Sequence, residues 1–179
     1  FSSAVRSLDP ATCDDITSAH LQAHFYEGLY TYDYLARPVQ LMPLLAAELP
    51  IISDDRLTVT IRIKPDVVYA RHPCFGVDES GRAATRRVRA EDFVLSIKRI
   101  ADHHLYSPLW PLLRGRIVGI DDYNRRTQDA APTDLTRYDQ LTIDGVRALD
   151  DRTLQIELAE PFPQLPFILA RHQLAPMPR

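Results

Sequence analysis

The sequence of 179 residues has little of several features that would point to one class of protein. It contains six glycines, two cysteines and one tryptophan, against fourteen prolines, so fixed bends should outnumber left-handed turns. No apolar run reaches the ~20 residues that a membrane-spanning helix needs. Residues 1–4 lack the charged head and apolar middle of a secretory signal peptide. With 45% hydrophobic residues, the length fits one domain or two small lobes around an ordinary core.

The motifs of common enzyme classes are also missing. The sequence has no Gly-x-Ser-x-Gly nucleophile motif and no glycine-rich loop that would cradle a phosphate group. Paired aspartates fall at predicted turns, where their side chains bond the local backbone. The net charge of −3 gives no reason to expect nucleic acid or an anionic membrane surface as a partner. We therefore expect neither a hydrolase nor a nucleotide-binding enzyme, and no cofactor.

One pair of histidines is the best candidate for a metal site. His20 and His24, with Glu27 on the same predicted helix face, have the spacing that places two imidazoles on one side of a helix. No third ligand follows at a signature spacing, so a structural or exposed role explains the pair more simply. No metal site is predicted, and a small metal-dependent enzyme using His20 and His24 stays as an alternative hypothesis.

The two cysteines leave two readings open. Cys13 and Cys74 would form a disulfide in an oxidising compartment or remain as two thiols, and their spacing does not distinguish these two possibilities.

The clearest secondary-structure signal is a strand followed, after a loop, by a helix. Leu57, Val59, Ile61 and Ile63 alternate with polar residues, which is the period of a strand with one buried face. Further on, apolar residues recur at helical spacing, between acidic residues at one end and basic residues at the other. This apolar helix face consists of Phe93, Val94, Ile97, Ile100 and Ala101. The two elements should form the centre of a mixed α/β fold.

Two hairpins are predicted around turns that contain paired aspartates. Residues 51–52 should pair with the central strand, and residues 145–149 should pair with residues 153–158. A short extended pair within residues 31–43 and short helices at residues 109–113 and after Pro161 are also predicted.

The remaining segments carry weaker signals. We expect a helix over residues 18–29, with Thr17 or Ser18 as N-cap and a buried stripe of Leu21, Phe25 and Leu29. A helical turn is expected at residues 44–49. Two segments should be irregular: residues 67–88 as a surface excursion, and residues 124–136 as a polar, mobile stretch.

The central strand and helix also resemble a known family. Residues 57–64 read Leu-Thr-Val-Thr-Ile-Arg-Ile-Lys, and residues 90–99 read Ala-Glu-Asp-Phe-Val-Leu-Ser-Ile-Lys-Arg. Further matches in the same order lie at residues 8–11, 26–29, 44–48, 107–108, 115–121 and 145–154. In this collinear pattern the chain resembles the family 5 extracellular solute-binding proteins, which are peptide- and oligopeptide-binding subunits of ABC importers.

One position departs from the family pattern. Arg89 stands where the family usually has Thr or Ser before Ala-Glu-Asp, so the usual helix cap is absent. Its loss costs about 1 kcal/mol unless Asp92 takes over the role.

The resemblance implies a periplasmic-binding-protein-like fold of type II, cluster C. The chain would be a partial first lobe with an inserted subdomain. Residues 1–50 would form part of lobe I, truncated at its N-terminus within a strand that reaches residue 7. Residues 51–179 would form the remainder of lobe I and the inserted subdomain, and lobe II would be absent.

The function implied by the resemblance is transport without catalysis. A monomeric protein, periplasmic or lipid-anchored at the cell surface, would bind extended peptides between two lobes and deliver them to an ABC permease in the inner membrane. Related sequences bind other cargo, so nickel, haem, an opine or a sugar stay open as alternatives. An interaction module without its own ligand is a further alternative.

The resemblance also suggests ligand contacts. In the family, the segment just before the first helix gives strand-like backbone contacts to the ligand, and the matching residues are Ile16, Thr17 and Ser18. An aromatic residue often lies over the ligand after the Ser-Pro motif, which makes Trp110 the candidate. Capping the helix and packing in the core are the competing roles for these residues.

Overall fold

The computed structural model describes residues 4–178 and contains six strands and six α-helices in that range. The strands are β1 (Tyr30–Tyr32), β2 (Leu41–Pro43), β3 (Ile51–Ile52), β4 (Thr58–Arg62), β5 (Val146–Asp150) and β6 (Thr153–Glu157). The α-helices are α1 (Ile16–Gln22), α2 (Ala90–Ala101), α3 (Trp110–Leu113), α4 (Ile120–Asp129), α5 (Arg137–Gln140) and α6 (Leu165–Leu169). Short 3-10 helices lie at Pro10–Thr12, Pro73–Phe75, His103–Leu105 and His172–Leu174.

A four-stranded antiparallel sheet in the order β3-β4-β6-β5 forms the centre of the fold. Both predicted hairpins are confirmed as β3–β4 and β5–β6. The two hairpins are joined by β4 and β6, which pair along their full length. Val59 lies opposite Ile156 and Ile61 opposite Leu154, and all four side chains are buried on one face of the sheet. The mixed α/β class predicted from the sequence is therefore confirmed.

Helix α2 covers the buried face of this sheet. It contacts both β5 and β6, and every residue of its predicted apolar face is buried. The helix begins as the sequence suggested, because the Asp92 carboxylate accepts a hydrogen bond from the Arg89 backbone N–H at 2.8 Å. Asp92 also accepts two hydrogen bonds from the Arg86 guanidinium, at 2.9 and 2.6 Å. Asp92 thus supplies the reciprocal bond of a capping box, while the N-cap side chain itself makes no capping hydrogen bond.

The first and last parts of the chain pack together beside the sheet. The predicted extended pair is the β1–β2 hairpin, and the predicted helix after Pro161 is α6. The Leu29 N–H donates to the Leu169 carbonyl at 3.1 Å. Gly28 allows this approach, since an added Cβ would lie 3.0 Å from the carbonyl oxygens of Leu169 and Ala170. One hydrophobic core runs through both regions, and the division at residue 50 stays a prediction.

Several predicted elements are wrong. The helix expected over residues 18–29 is α1, which begins at Ile16, is capped by Asp15 and ends at Gln22. Phe25, placed in its buried stripe, is 65% exposed, and Leu29 is buried next to β1 instead. Residues 44–49 form no helical turn, because Ala46 makes an isolated bridge with Ile63.

Two segments expected to be irregular differ from each other. Residues 124–129 belong to helix α4, whose inward face of Ile120, Tyr123 and Thr127 is buried, so a mobile stretch there is wrong. Residues 67–88 do form an exposed excursion, although it folds back on itself through bridges such as Val68 to Arg87. The expected strand tail at residues 1–7 lies partly outside the described residues, and residues 4–7 form no strand.

A buried ion pair anchors the segment after α4 to the end of α2. The Asp102 carboxylate accepts hydrogen bonds from the Arg137 Nε at 2.8 Å and the Tyr138 hydroxyl at 2.5 Å. It also accepts one from the His104 backbone N–H at 2.9 Å. Arg137 donates further bonds to three backbone carbonyls, and both charged side chains are almost fully buried. Removing one partner therefore leaves a desolvated charge.

We expect Arg137→Met to lower the free energy of unfolding by about 3–5 kcal/mol, because the Asp102 carboxylate stays buried without its counter-charge. Urea denaturation at neutral pH measures this change. Arg125→Met is the matched control, since Arg125 pairs with Asp122 on the exposed face of α4. Its effect should stay within about 0.5 kcal/mol. Equal destabilisation by both variants would contradict this role for the buried pair.

Candidate functional site

The start of α1 is the first place where the resemblance predicts a ligand contact. The Asp15 carboxylate accepts a hydrogen bond from the Ser18 N–H at 2.8 Å and so caps the helix. The Ser18 hydroxyl is buried and accepts from the Arg6 N–H at 3.0 Å. Gln22, also buried, donates to the carbonyls of Ser7 and Asp9. The segment before the helix is thus fixed against it.

The predicted contact residues Ile16, Thr17 and Ser18 form the first turn of α1 rather than an extended segment. Ile16 is 75% exposed, whereas Ser18 is fully buried. The extended backbone lies one step earlier, at residues 13–15, where Cys13 and Asp15 have strand-like dihedral angles. Among residues 4–178, the backbone N–H and C=O of Asp14 have no hydrogen-bond partner.

Trp110 lies elsewhere, at the start of α3. Its side chain is half-buried and packs against the hydrophobic core. It also lines an open cavity of about 630 Å³, together with His103, Arg114, Asp121, Asn124, Arg125 and Gln128. None of Ile16, Thr17 and Ser18 lines this cavity. The chain therefore does not bring the four predicted contact residues into one cavity, and their roles stay predictions.

An apolar groove that the sequence did not predict lies between three separate segments. Its volume is about 460 Å³, and residues 23–27, 67–75 and 175–178 provide most of its lining. The Arg86 guanidinium lies 5.1 Å from the ring centre of Tyr69 and 5.8 Å from that of Phe75, which holds the excursion in place. Burial raises the pKa of Tyr69. Phe25 and Val68, which line the groove, are exposed, and single exposed apolar residues are too common for the sequence to mark such a groove.

The histidine pair and the cysteines do not form sites in the described part of the chain. His20 lies near the end of α1 and His24 in the turn that follows, so one helix does not present both. Within residues 4–178, no group of three His, Cys, Asp or Glu side chains is placed to hold a metal ion. Cys13 and Cys74 are free thiols, the first buried and the second exposed. Burial raises the pKa of Cys13.

No helix in residues 4–178 combines the length and the apolar character that crossing a membrane requires.

The fold of the chain, a four-stranded antiparallel sheet covered by α2, is similar to part of the periplasmic oligopeptide-binding proteins. Residues 40–178 match the family described as "Bacterial extracellular solute-binding proteins, family 5 Middle". The chain therefore belongs to the family 5 bacterial extracellular solute-binding proteins.

Individual proteins and a solved structure are also similar to the chain. The periplasmic oligopeptide-binding protein OppA of Salmonella typhimurium is 29% identical over 178 residues, which are 99% of this chain and 27% of OppA. The probable deoxycholate-binding periplasmic protein YgiS of Escherichia coli is 29% identical over 96% of this chain and 27% of its own length. The structure of Listeria monocytogenes OppA bound to peptide superposes with a TM-score of 0.71, at 24% identity, over 99% of this chain and 30% of that one.

The chain thus spans less than a third of the length of each of these relatives.

The capping of α1 gives a test that depends on pH. The hydrogen bonds from Ser18 hold the pKa of Asp15 below its ordinary value of 3.8. A carboxylate with a lowered folded pKa stabilises the fold above its unfolded pKa, and this stabilisation is lost as the pH falls through the folded value. We expect the wild-type chain to be more stable than Asp15→Asn at neutral pH, and the difference to shrink as the pH falls below 3.8 towards the lowered folded pKa.

Urea midpoints measured from pH 7 down to pH 3 check this expectation. Asp14→Asn is the matched control, since Asp14 is exposed and does not cap the helix. A difference between wild type and Asp15→Asn that persists unchanged at the lowest pH would show that the Asp15 charge does not stabilise α1.

Proposed function

We propose that this chain is part of the substrate-binding component of an ABC importer, and that it contributes one wall of a cleft that binds extended peptides. The observation that carries the proposal is the family match over residues 40–178. The oligopeptide-binding names of relatives that align with almost the whole chain support peptides as the ligand class. In this role the protein carries its ligand without catalysing a reaction.

The extended backbone before α1 supports the mode of binding. A peptide strand that lies beside residues 13–15 would use the free backbone groups of Asp14, as in other cases of strand addition. Ile16 would border this strand with its exposed side chain, and Thr17 and Ser18 would hold the start of α1 in place. Trp110 would contribute from the cavity at α3 only if the ligand extends that far.

The proposal also covers the arrangement of the lobes, the permease partner and the location of the protein. Residues 1–50 and 51–179 would belong to lobe I, with the β3-β4-β6-β5 sheet and α2 inside the inserted subdomain. A second lobe would close over the ligand, and the closed protein would dock as a monomer on a permease in the inner membrane. The periplasmic names of the relatives support a periplasmic location, and lipid anchoring would be compatible with it.

A second ligand class has one specific observation in its favour. A relative of similar identity is named as probably binding deoxycholate, which is a rigid, largely apolar ligand. The apolar groove at residues 23–27, 67–75 and 175–178 has walls that suit such a molecule. Native mass spectrometry of protein purified without refolding would distinguish a peptide ligand from a steroid by mass.

If the cleft needs two walls, the 179-residue chain alone should bind peptides roughly 100-fold or more weakly than a protein of the relatives' length that contains it. Without lobe closure, the contacts from the second wall and the exclusion of water would both be missing. Isothermal titration of both proteins with the same peptide pool measures the ratio.

A peptide pool made of D-amino acids is the control for non-specific association with exposed apolar surface. Equal affinities of the short and long proteins for the L-peptides would contradict the two-wall cleft. Binding of neither protein to L-peptides, with a steroid found by mass spectrometry, would instead favour the second ligand class.

A further inference from the structure

A small polar crevice lies at the end of the central sheet, next to the start of α2. Its volume is about 250 Å³, and it is lined by Pro65, Arg87, Val88, Arg89, Asp151 and Arg152. These residues come from three parts of the chain: the segment after β4, the segment before α2 and the β5–β6 turn. Three guanidinium groups and one carboxylate therefore border one concave space.

The backbone around the crevice is fixed by hydrogen bonds between these parts. The Ala90 N–H, at the start of α2, donates to the Asp151 carbonyl at 2.8 Å. The Ile63 N–H donates to the Arg152 carbonyl, also at 2.8 Å. The β5–β6 turn is thus tied both to the helix and to β4, and the arginine side chains extend from a rigid base.

The positive charges of the crevice are poorly neutralised. Within residues 4–178, neither Arg87 nor Arg152 forms an ion pair within 4.0 Å, and both are exposed. Arg89 approaches the Asp151 carboxylate only at 4.0 Å, and that carboxylate is 77% exposed. The neighbouring Asp150 carboxylate accepts hydrogen bonds from the Arg152 N–H and the Thr153 hydroxyl of its own turn, and its charge offsets part of the Arg152 charge.

We propose that this crevice binds a phosphate group. Guanidinium groups present their N–H donors in a fork that matches the oxygens of phosphate, and three of them can surround one tetrahedral anion. Since a water molecule occupies about 30 Å³ in the liquid, the crevice has room for the anion with part of its hydration shell. The proposal rests on local charge, not on the net charge of −3, and it is independent of the transport role.

The test is isothermal titration of the 179-residue chain with inorganic phosphate in a buffer of low ionic strength. Arg87→Gln and Arg152→Gln should each weaken binding about tenfold, because each removes charge-assisted hydrogen bonds. Asp151→Asn should tighten binding, since it removes the one carboxylate of the lining. All three side chains are exposed, and circular dichroism of each variant confirms that the fold is kept.

Arg126→Gln is the matched control, because Arg126 is exposed on α4 and forms no ion pair within residues 4–178. It should leave the affinity unchanged. Equal weakening of phosphate binding by Arg126→Gln and Arg87→Gln would overturn the proposal. The absence of phosphate binding by the wild-type chain at about 10 mM phosphate would also overturn it.

Vesicles distinguish the source of the phosphate group. Binding to phosphatidylglycerol vesicles that inorganic phosphate displaces, and that Arg87→Gln weakens, would assign the crevice to a lipid headgroup. Phosphate binding without vesicle binding would assign it to a soluble phosphate compound. Vesicle binding that neither phosphate nor Arg87→Gln affects would reflect diffuse attraction and overturn the proposal.

Discussion

The pairing of β4 with β6 is the constraint on which the rest of the structure depends. These strands join two hairpins that are separated in the sequence by residues 63–145, and five residue pairs connect β4 with β6. Without this pairing, each hairpin alone would be a two-stranded unit of marginal stability. With it, Val59, Ile61, Leu154 and Ile156 form one apolar face that is wide enough to receive α2. The long intervening segment is then closed into a loop whose ends are fixed.

Once α2 lies on the sheet, its two ends determine where the intervening segment packs. At its start, Asp92 holds Arg86 and therefore the end of the surface excursion. At its end, Asp102 holds Arg137 and Tyr138, and with them the segment after α4. Both carboxylates are almost fully buried, so each needs its partners to offset the cost of desolvation. Charged residues thus fix the position of loops that have too few apolar residues to fix themselves.

The sequence predicted what depends on local periodicity and missed what depends on distant partners. The alternation at residues 57–63 and the apolar spacing in α2 identified both central elements and their buried faces. Helix α4 escaped detection because only Ile120, Tyr123 and Thr127 face inward, and the rest of it is charged or polar. The start of α1 was misplaced because two serine or threonine residues follow Asp15, and each is a plausible cap. The pairing of β4 with β6 left no local trace, since each strand alone is consistent with several partners.

The same distinction applies to the candidate sites. Ile16, Thr17 and Ser18 do not line the cavity that Trp110 lines, and in the proposed two-lobe cleft residues far away in the sequence would complete the site. The arginine crevice has the opposite character, because the segment after β4, the segment before α2 and the β5–β6 turn supply its lining and are joined by hydrogen bonds. In the proposed two-lobe protein, lobe closure would move the backbone of this unit as a rigid body. Anion binding in the crevice would then not depend on whether the lobes are open or closed, unless the molecule that carries the anion also contacts the second lobe.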